Sequence, residues 1–161
     1  MPTVVEVWLA DDLAGLEDHP LPRLHAELHR CARETGWHLQ PFSASPPDKQ
    51  MESFTLQGPH GGAGAELRFH RVVPVLGFVD AQALQASLDV WASSWVAWGH
   101  SYINPPPLVA WWQAAGWLTP DAAWLNASPT PEDLRALGLL EGPEWKRSRQ
   151  LSRGDALFFE W

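Results

Sequence analysis

From Leu84, apolar residues recur at steps of four, three, four and three, through Leu88, Trp91 and Trp95 to Trp98. At about 100° per residue they fall on one narrow stripe, so the spacing predicts a helix over 80–98. Asp80 offers an N-cap oxygen, and Gly99 can take the left-handed conformation that ends a helix. The other side of this stretch is small: Ala83, Ala86, Val90, Ser93 and Ala97, with Asp89 the one internal charge. A water-facing back normally carries Lys, Glu or Arg. The pattern therefore predicts a tryptophan-rich central helix covered on two sides.

Elsewhere the period is two. Residues 3–9, 37–42, 52–57 and 66–73 alternate as strands, and the connection GPHGGAGA between the last two predicts a hairpin with an extended, mobile tip. That glycine-rich connection is followed by a strand, and it lacks a Lys-Ser/Thr ending, which argues against a phosphate-cradling loop. Residues 20–35 carry the helical stripe Leu21, Leu24, Leu28 and Cys31, with Gly36 as the stop and Arg23/Glu27 and Arg30/Glu34 as surface pairs. Asn104 before three prolines predicts an N-cap for a helix through about Ala115, closing at Gly116. Thr119-Pro120-Asp121 opens a short helical turn, and Thr130-Pro131-Glu132-Asp133 resembles a capping box. Residues 144–150 and 156–161 read as a closing hairpin around 152–155.

The order β-α-β-β-β-α-α-α-β-β predicts an α+β fold: an antiparallel or mixed sheet of about five to six strands, helices packed on one face. A chain of 161 residues reads as a single domain, 1–161. At 45% hydrophobic and 19% charged it is globular in composition, and no apolar run reaches the length of a membrane span. The start, MPTVVEVWLADD, has no basic n-region, and one cysteine excludes an internal disulfide; both suggest the cytoplasm. The net charge of −8 argues against a general nucleic-acid binder. Only two lysines and one isoleucine, with many Ala, Leu, Pro and Trp, suggest the coding bias of a GC-rich bacterial genome.

Local motifs add little chemistry. His25 and His29 stand at metal-ligand spacing but lack a third ligand, so neither metal nor cofactor is expected. Cys31 lies in an apolar stripe, Arg153-Gly154-Asp155 reads as a turn, and Lys146, Arg147, Arg149 and Arg153 form only a short basic run. His100-Ser101-Tyr102 has no acidic partner in range for a nucleophilic triad.

Strand parity yields the stronger candidate. With Val5, Val7, Trp37, Leu39, Phe54, Leu56, Leu67 and Phe69 toward the helices, the opposite sheet face carries Glu6, Trp8, His38, Gln40, Thr55, Gln57, Arg68 and His70. The site residues expected are Glu6, Trp8, His38, Gln40, Arg68 and His70, on a face that helices leave uncovered. Trp8 offers an apolar platform, Arg68 a planar fork for an anion, and the histidines a response near neutral pH. Three classes follow. The first is a non-enzymatic binding module for a protein partner or a small polar ligand, possible in an inhibitory, immunity-like role. The second is a small hydrolase using Glu6, His38 and His70. The third is a structural or assembly subunit, for which a homodimer is the natural form. Whether the chain is an enzyme stays open on sequence.

Overall fold

The stripe Leu24, Leu28, Cys31 winds as its spacing predicts: α1 spans Leu24–Thr35, after a 3₁₀ turn at Leu21–Arg23, and buries those three side chains. Gly36 ends it at φ 76°, its N–H donating to Ala32 O at 3.1 Å. Both surface pairs form, Arg23–Glu27 at 3.4 Å and Arg30–Glu34 at 3.7 Å. These facts come from a computed structural model that describes residues 20–42, 51–71, 73–82, 101–136 and 152–158.

Four strands follow among the described residues: β1 (His38–Leu39), β2 (Met51–Gln57), β3 (Gly64–His70) and β4 (Leu76–Asp80). They form one antiparallel sheet in the order β1-β2-β3-β4. The β2–β3 connection is compact rather than extended. Gly58 N–H donates to Ala63 O at 3.2 Å around a 3₁₀ turn at Pro59–Gly61. A Cβ on Gly58 would sit 2.8 Å from that same oxygen, so the closure needs glycine. The outer edge of β4 is also paired: Asp80 N–H to Ser101 O at 3.0 Å, Ile103 N–H to Phe78 O at 2.9 Å, and Leu76 N–H to Leu118 O at 2.8 Å.

Among the described residues the remaining helices are α2 (Pro106–Ala114), α3 (Ala122–Asn126), α4 (Pro131–Ala136) and α5 (Arg153–Phe158). Phe54, Leu56, Leu67, Phe69 and Phe78 pack against Leu24 and Leu28 of α1, Leu108 and Trp112 of α2, and Trp117. The Phe69 ring centroid lies 4.9 Å from both Trp112 and Trp117, in edge-on contacts that fix the centre of this core. Trp111 Nε1 donates to Glu34 at 2.6 Å, and the Arg30 guanidinium lies 5.0 Å over the Trp111 ring, tying α2 to α1.

The structure is α+β, as the element pattern predicts, and it corrects several details. Helices cover both faces of the sheet, not one: Val79, Tyr102, Leu125 of α3, and Leu157 and Phe158 of α5 make a second core on the far side. β4 was not foreseen, and residues 153–158, expected as a turn and the start of a strand, form a helix. Asn104 does not cap α2, whose N-cap is Pro105; its Oδ1 instead accepts from Ala122 N–H at 3.1 Å, at the start of α3. The Thr130–Asp133 capping box forms in both directions. Asp133 Oδ2 accepts from Thr130 N–H at 2.7 Å, and Thr130 Oγ1 from Asp133 N–H at 3.2 Å. Asp80 Oδ1 accepts from Gln82 N–H at 2.9 Å. The tryptophan-rich helix expected over 80–98 lies outside the described residues from 83 on, as do the strands expected at 3–9 and 144–150. Among the described residues no helix is long and apolar enough to cross a membrane.

Candidate functional site

Cross-strand pairing decides which side chains share a face. His38 faces Gln57, Gln40 N–H bonds to Thr55 O at 2.9 Å, Thr55 faces Glu66, and Ser53 faces Arg68. His38, Gln40, Arg68 and His70 therefore lie on one face, opposite Phe54, Leu56, Leu67 and Phe69, as the parity predicts. Glu6 and Trp8 lie outside the described residues.

This polar face is divided. On β1 and β2 it is accessible: His38 and Gln57 are exposed, Gln40 and Thr55 half-buried, and Gln40 Nε2 donates to Gln57 Oε1 at 3.2 Å. On β3, α5 seals it, leaving Arg68 at 6% and His70 at 1% exposure. The expectation of an uncovered face thus fails for these two residues. Parity distinguishes the faces of a sheet, but not what packs on them. Register also separates the histidines. His38 pairs with Gln57 at one end of β2 and His70 with Met51 at the other, about 20 Å along the strand.

Under α5 lies a buried polar cluster. Arg68 Nη1 donates to the Tyr102 hydroxyl at 3.3 Å, and that hydroxyl donates to Asp155 Oδ1 at 3.3 Å. Arg68 Nη2 donates to Glu66 Oε2 at 3.3 Å. Desolvation alone would lower the Arg68 value, but Tyr102, Glu66 and Asp155 hold it above its ordinary range. Burial drives Tyr102 far up, Asp155 adding to the rise and Arg68 opposing it, so the phenol stays neutral and relays between guanidinium and carboxylate. His70 Nδ1 accepts from Val73 N–H at 3.2 Å, and its ring lies 6.4 Å from Phe158.

Small residues make this packing possible. A Cβ on Gly77 would lie 3.1 Å from Tyr102 Cε1 and 2.7 Å from Phe158 Cε2; one on Gly154 would lie 2.4 Å from Tyr102 Cε2. The ring is thus held between β4 and α5, while Asn126 clasps its backbone, accepting from Tyr102 N–H at 2.8 Å and donating to Tyr102 O at 2.9 Å. α5 is fixed at its start as well. Ser152 Oγ accepts from Asp155 N–H at 3.2 Å, Arg153 Nε donates to Asp133 Oδ2 at 2.7 Å, and the Arg153 guanidinium lies 4.8 Å over Trp124. Burial would raise Asp133, but the Thr130 amide, Arg153 and the Thr130 hydroxyl hold it below the usual carboxylate range. The Arg-Gly-Asp triplet is therefore the first turn of a helix, with Asp155 only 2% exposed.

Parity missed Tyr102, Asp155, Glu66 and Asn126. The available signal was Ser152-x-x-Asp155, the same capping pattern as Thr130-x-x-Asp133. Among the described residues no group of three or more His, Cys, Asp or Glu is placed to hold a metal ion. His25 and His29 instead flank Phe42, with centroids at 5.5 and 6.5 Å; Phe42 is 39% exposed. Burial pushes the Cys31 thiol up to about 11, with the neighbouring Thr35 and Trp112 side chains opposing the rise and Glu34 adding to it. A separate, shallow groove of about 410 Å³ lies beside α2, lined by Pro106, Val109 and Ala110 together with Asn104, Gln113, Thr119 and Asp121. No protein-family model, curated protein or solved structure matches this chain.

Proposed function

We propose that the chain is a non-enzymatic binding module. Its contact surface is the accessible half of the polar sheet face, His38, Gln40, Thr55 and Gln57, with Glu6 and Trp8, which lie outside the described residues, kept as candidates from the sequence pattern. The observation that supports this most is the division of that face. Arg68, Tyr102 and Asp155, the groups best suited to charge chemistry, hold α5 onto the sheet. The neighbouring half presents hydrogen-bonding side chains on a paired backbone. Rigid strands carrying donors and acceptors suit recognition of a polar ligand or a partner's loop. The separation of His38 from His70 counts against a shared acid–base centre. In this reading the protein works in the cytoplasm as one domain, and its charge of −8 favours a basic partner in an inhibitory or immunity-like role.

Affinity capture from the source lysate tests this with two baits, the native chain and a Thr55→Lys/Gln57→Lys variant of matching thermal stability. A partner retained by the native bait, released by salt and lost with the variant is the expected result. Equal recovery on both baits would place the contact elsewhere and sink the assignment.

A further inference from the structure

The connection from β3 to β4 closes on a histidine side chain. His70, the last residue of β3, donates its backbone N–H to Val75 O at 2.9 Å, and its Nδ1 accepts from Val73 N–H at 3.2 Å. A ring nitrogen that accepts carries no proton, so this imidazole is the neutral tautomer protonated on Nε2. The ring is buried, 6.4 Å from Phe158 of α5. Val73 and Val75, which it fastens, belong to the same core as Leu157 and Phe158. The turn and α5 thus meet at one uncharged ring.

We infer that His70 is an acid-sensitive clasp, which holds the β3–β4 turn and α5 together while neutral and releases them when protonated. The proton has to add at Nδ1, the atom already bonded to the Val73 amide. Adding it sets two N–H donors against each other and leaves a buried amide without its acceptor. It also places a full charge in an apolar setting, which desolvation opposes. Across the β2–β3 pair His70 faces Met51, while Glu52 is bonded to Arg71 at 2.6 Å. On β3 the ionic groups of the same face are Arg68 and Glu66, paired at 3.3 Å. On α5, Asp155 lies 4.0 Å from Arg68, and Arg153 is bonded to Asp133. Among the described residues each carboxylate on these elements therefore already faces a guanidinium.

The sign follows from linkage. In the unfolded chain an imidazole takes up a proton near its ordinary value of about 6.5, whereas folded His70 resists it. Its contribution is full above that value and lost as pH falls below it. The test is urea unfolding at about pH 7.5 and 5.5, for the native chain and for His70→Asn. Asn Oδ1 stands where Nδ1 does and can accept from Val73 N–H, but it takes up no proton in this range. Between the two conditions the native unfolding constant should rise about tenfold more than that of the variant. The measure is the change with pH, so a variant that starts less stable still serves. If the variant does not fold, the His70 ring resonances of the native chain, followed by NMR, should stay fixed between about pH 8 and 6. Equal pH dependence in the two chains, or a native ring resonance that titrates within that range with the fold intact, would overturn the inference. The sheet-face reading stands or falls separately, on the variants at Thr55 and Gln57.

Discussion

Gly154→Ala sets local propensity against packing, and the two disagree in sign. Inside an exposed helix the change stabilises, by about 0.5–1 kcal/mol. In α5 the new methyl would stand 2.4 Å from Tyr102 Cε2 and 2.5 Å from Cζ, where carbons in contact are normally about 3.5–4.0 Å apart. The ring has nowhere to go. Its other edge packs on Gly77, Phe158 stacks on it at 6.2 Å, and Asn126 grips its backbone. Overpacking of this kind costs about 1–3 kcal/mol. A displaced ring also lengthens the 3.3 Å bonds from its hydroxyl to Arg68 and Asp155, and hydrogen bonds to charged groups are worth about 1.5–3 kcal/mol. Net of the helix gain, Gly154→Ala should destabilise by about 2–4 kcal/mol. Urea unfolding followed by circular dichroism would measure it, with an unchanged m-value securing the comparison. In a Tyr102→Ala background the same change should become neutral or stabilising, a coupling that a double-mutant cycle reads directly. A midpoint at or above that of the native chain, or equal effects in the two backgrounds, would refute the packing argument.

Two further predictions follow from ionisable groups. Because Cys31 is held up at about 11 against an ordinary 9.0, only the unfolded chain ionises freely between those values. Its contribution is full below pH 9 and lost as pH rises toward 11, at up to about 1.4 kcal/mol per unit. The stability difference between the native chain and Cys31→Ala should shrink across that window in urea melts, and parallel curves would contradict the burial. Asp133 is shifted the other way, so its contribution is present above the ordinary carboxylate value and lost as pH falls through the lower folded one. Asp133→Asn should therefore cost about 1–3 kcal/mol at neutral pH, and its unfolding curve should converge with the native one in acid; a constant gap would remove the carboxylate from the account.

What sequence revealed, and what it hid, follows from the range of each signal. The two faces of β2 and β3 were legible because a strand's period is two: Phe54 and Leu56 must oppose Thr55 and Gln57. Caps such as Thr130–Asp133 and the Gly36 stop were legible because their chemistry closes within four residues. Asn104 misled because its bond runs to Ala122, near in space and distant along the chain. β4 was hidden by Pro74 and Gly77, ordinary strand breakers. Here the glycine makes room for Tyr102 and Phe158, and Pro74 offers its carbonyl to Leu118. α5 was lost because Ala156, Leu157 and Phe158 fit a strand as well as a helix in so short a run. The burial of Arg68 and His70 followed from that error, since the element that covers them had been assigned to the sheet.

The pairing along the outer side of β4 also bears on what the sheet can join. An open strand edge is a template for another chain, the common route to fibrous association. Here the Leu76 amide, the Phe78 carbonyl and the Asp80 amide are already taken by Leu118, Ile103 and Ser101, backbone to backbone. Those pairings are isolated bridges of one or a few residues that occupy the edge without extending it as a new strand. Lateral recruitment by main-chain pairing is therefore obstructed on that flank. At the other end of the described sheet β1 contributes just His38 and Leu39, too short a strand to set a strong register.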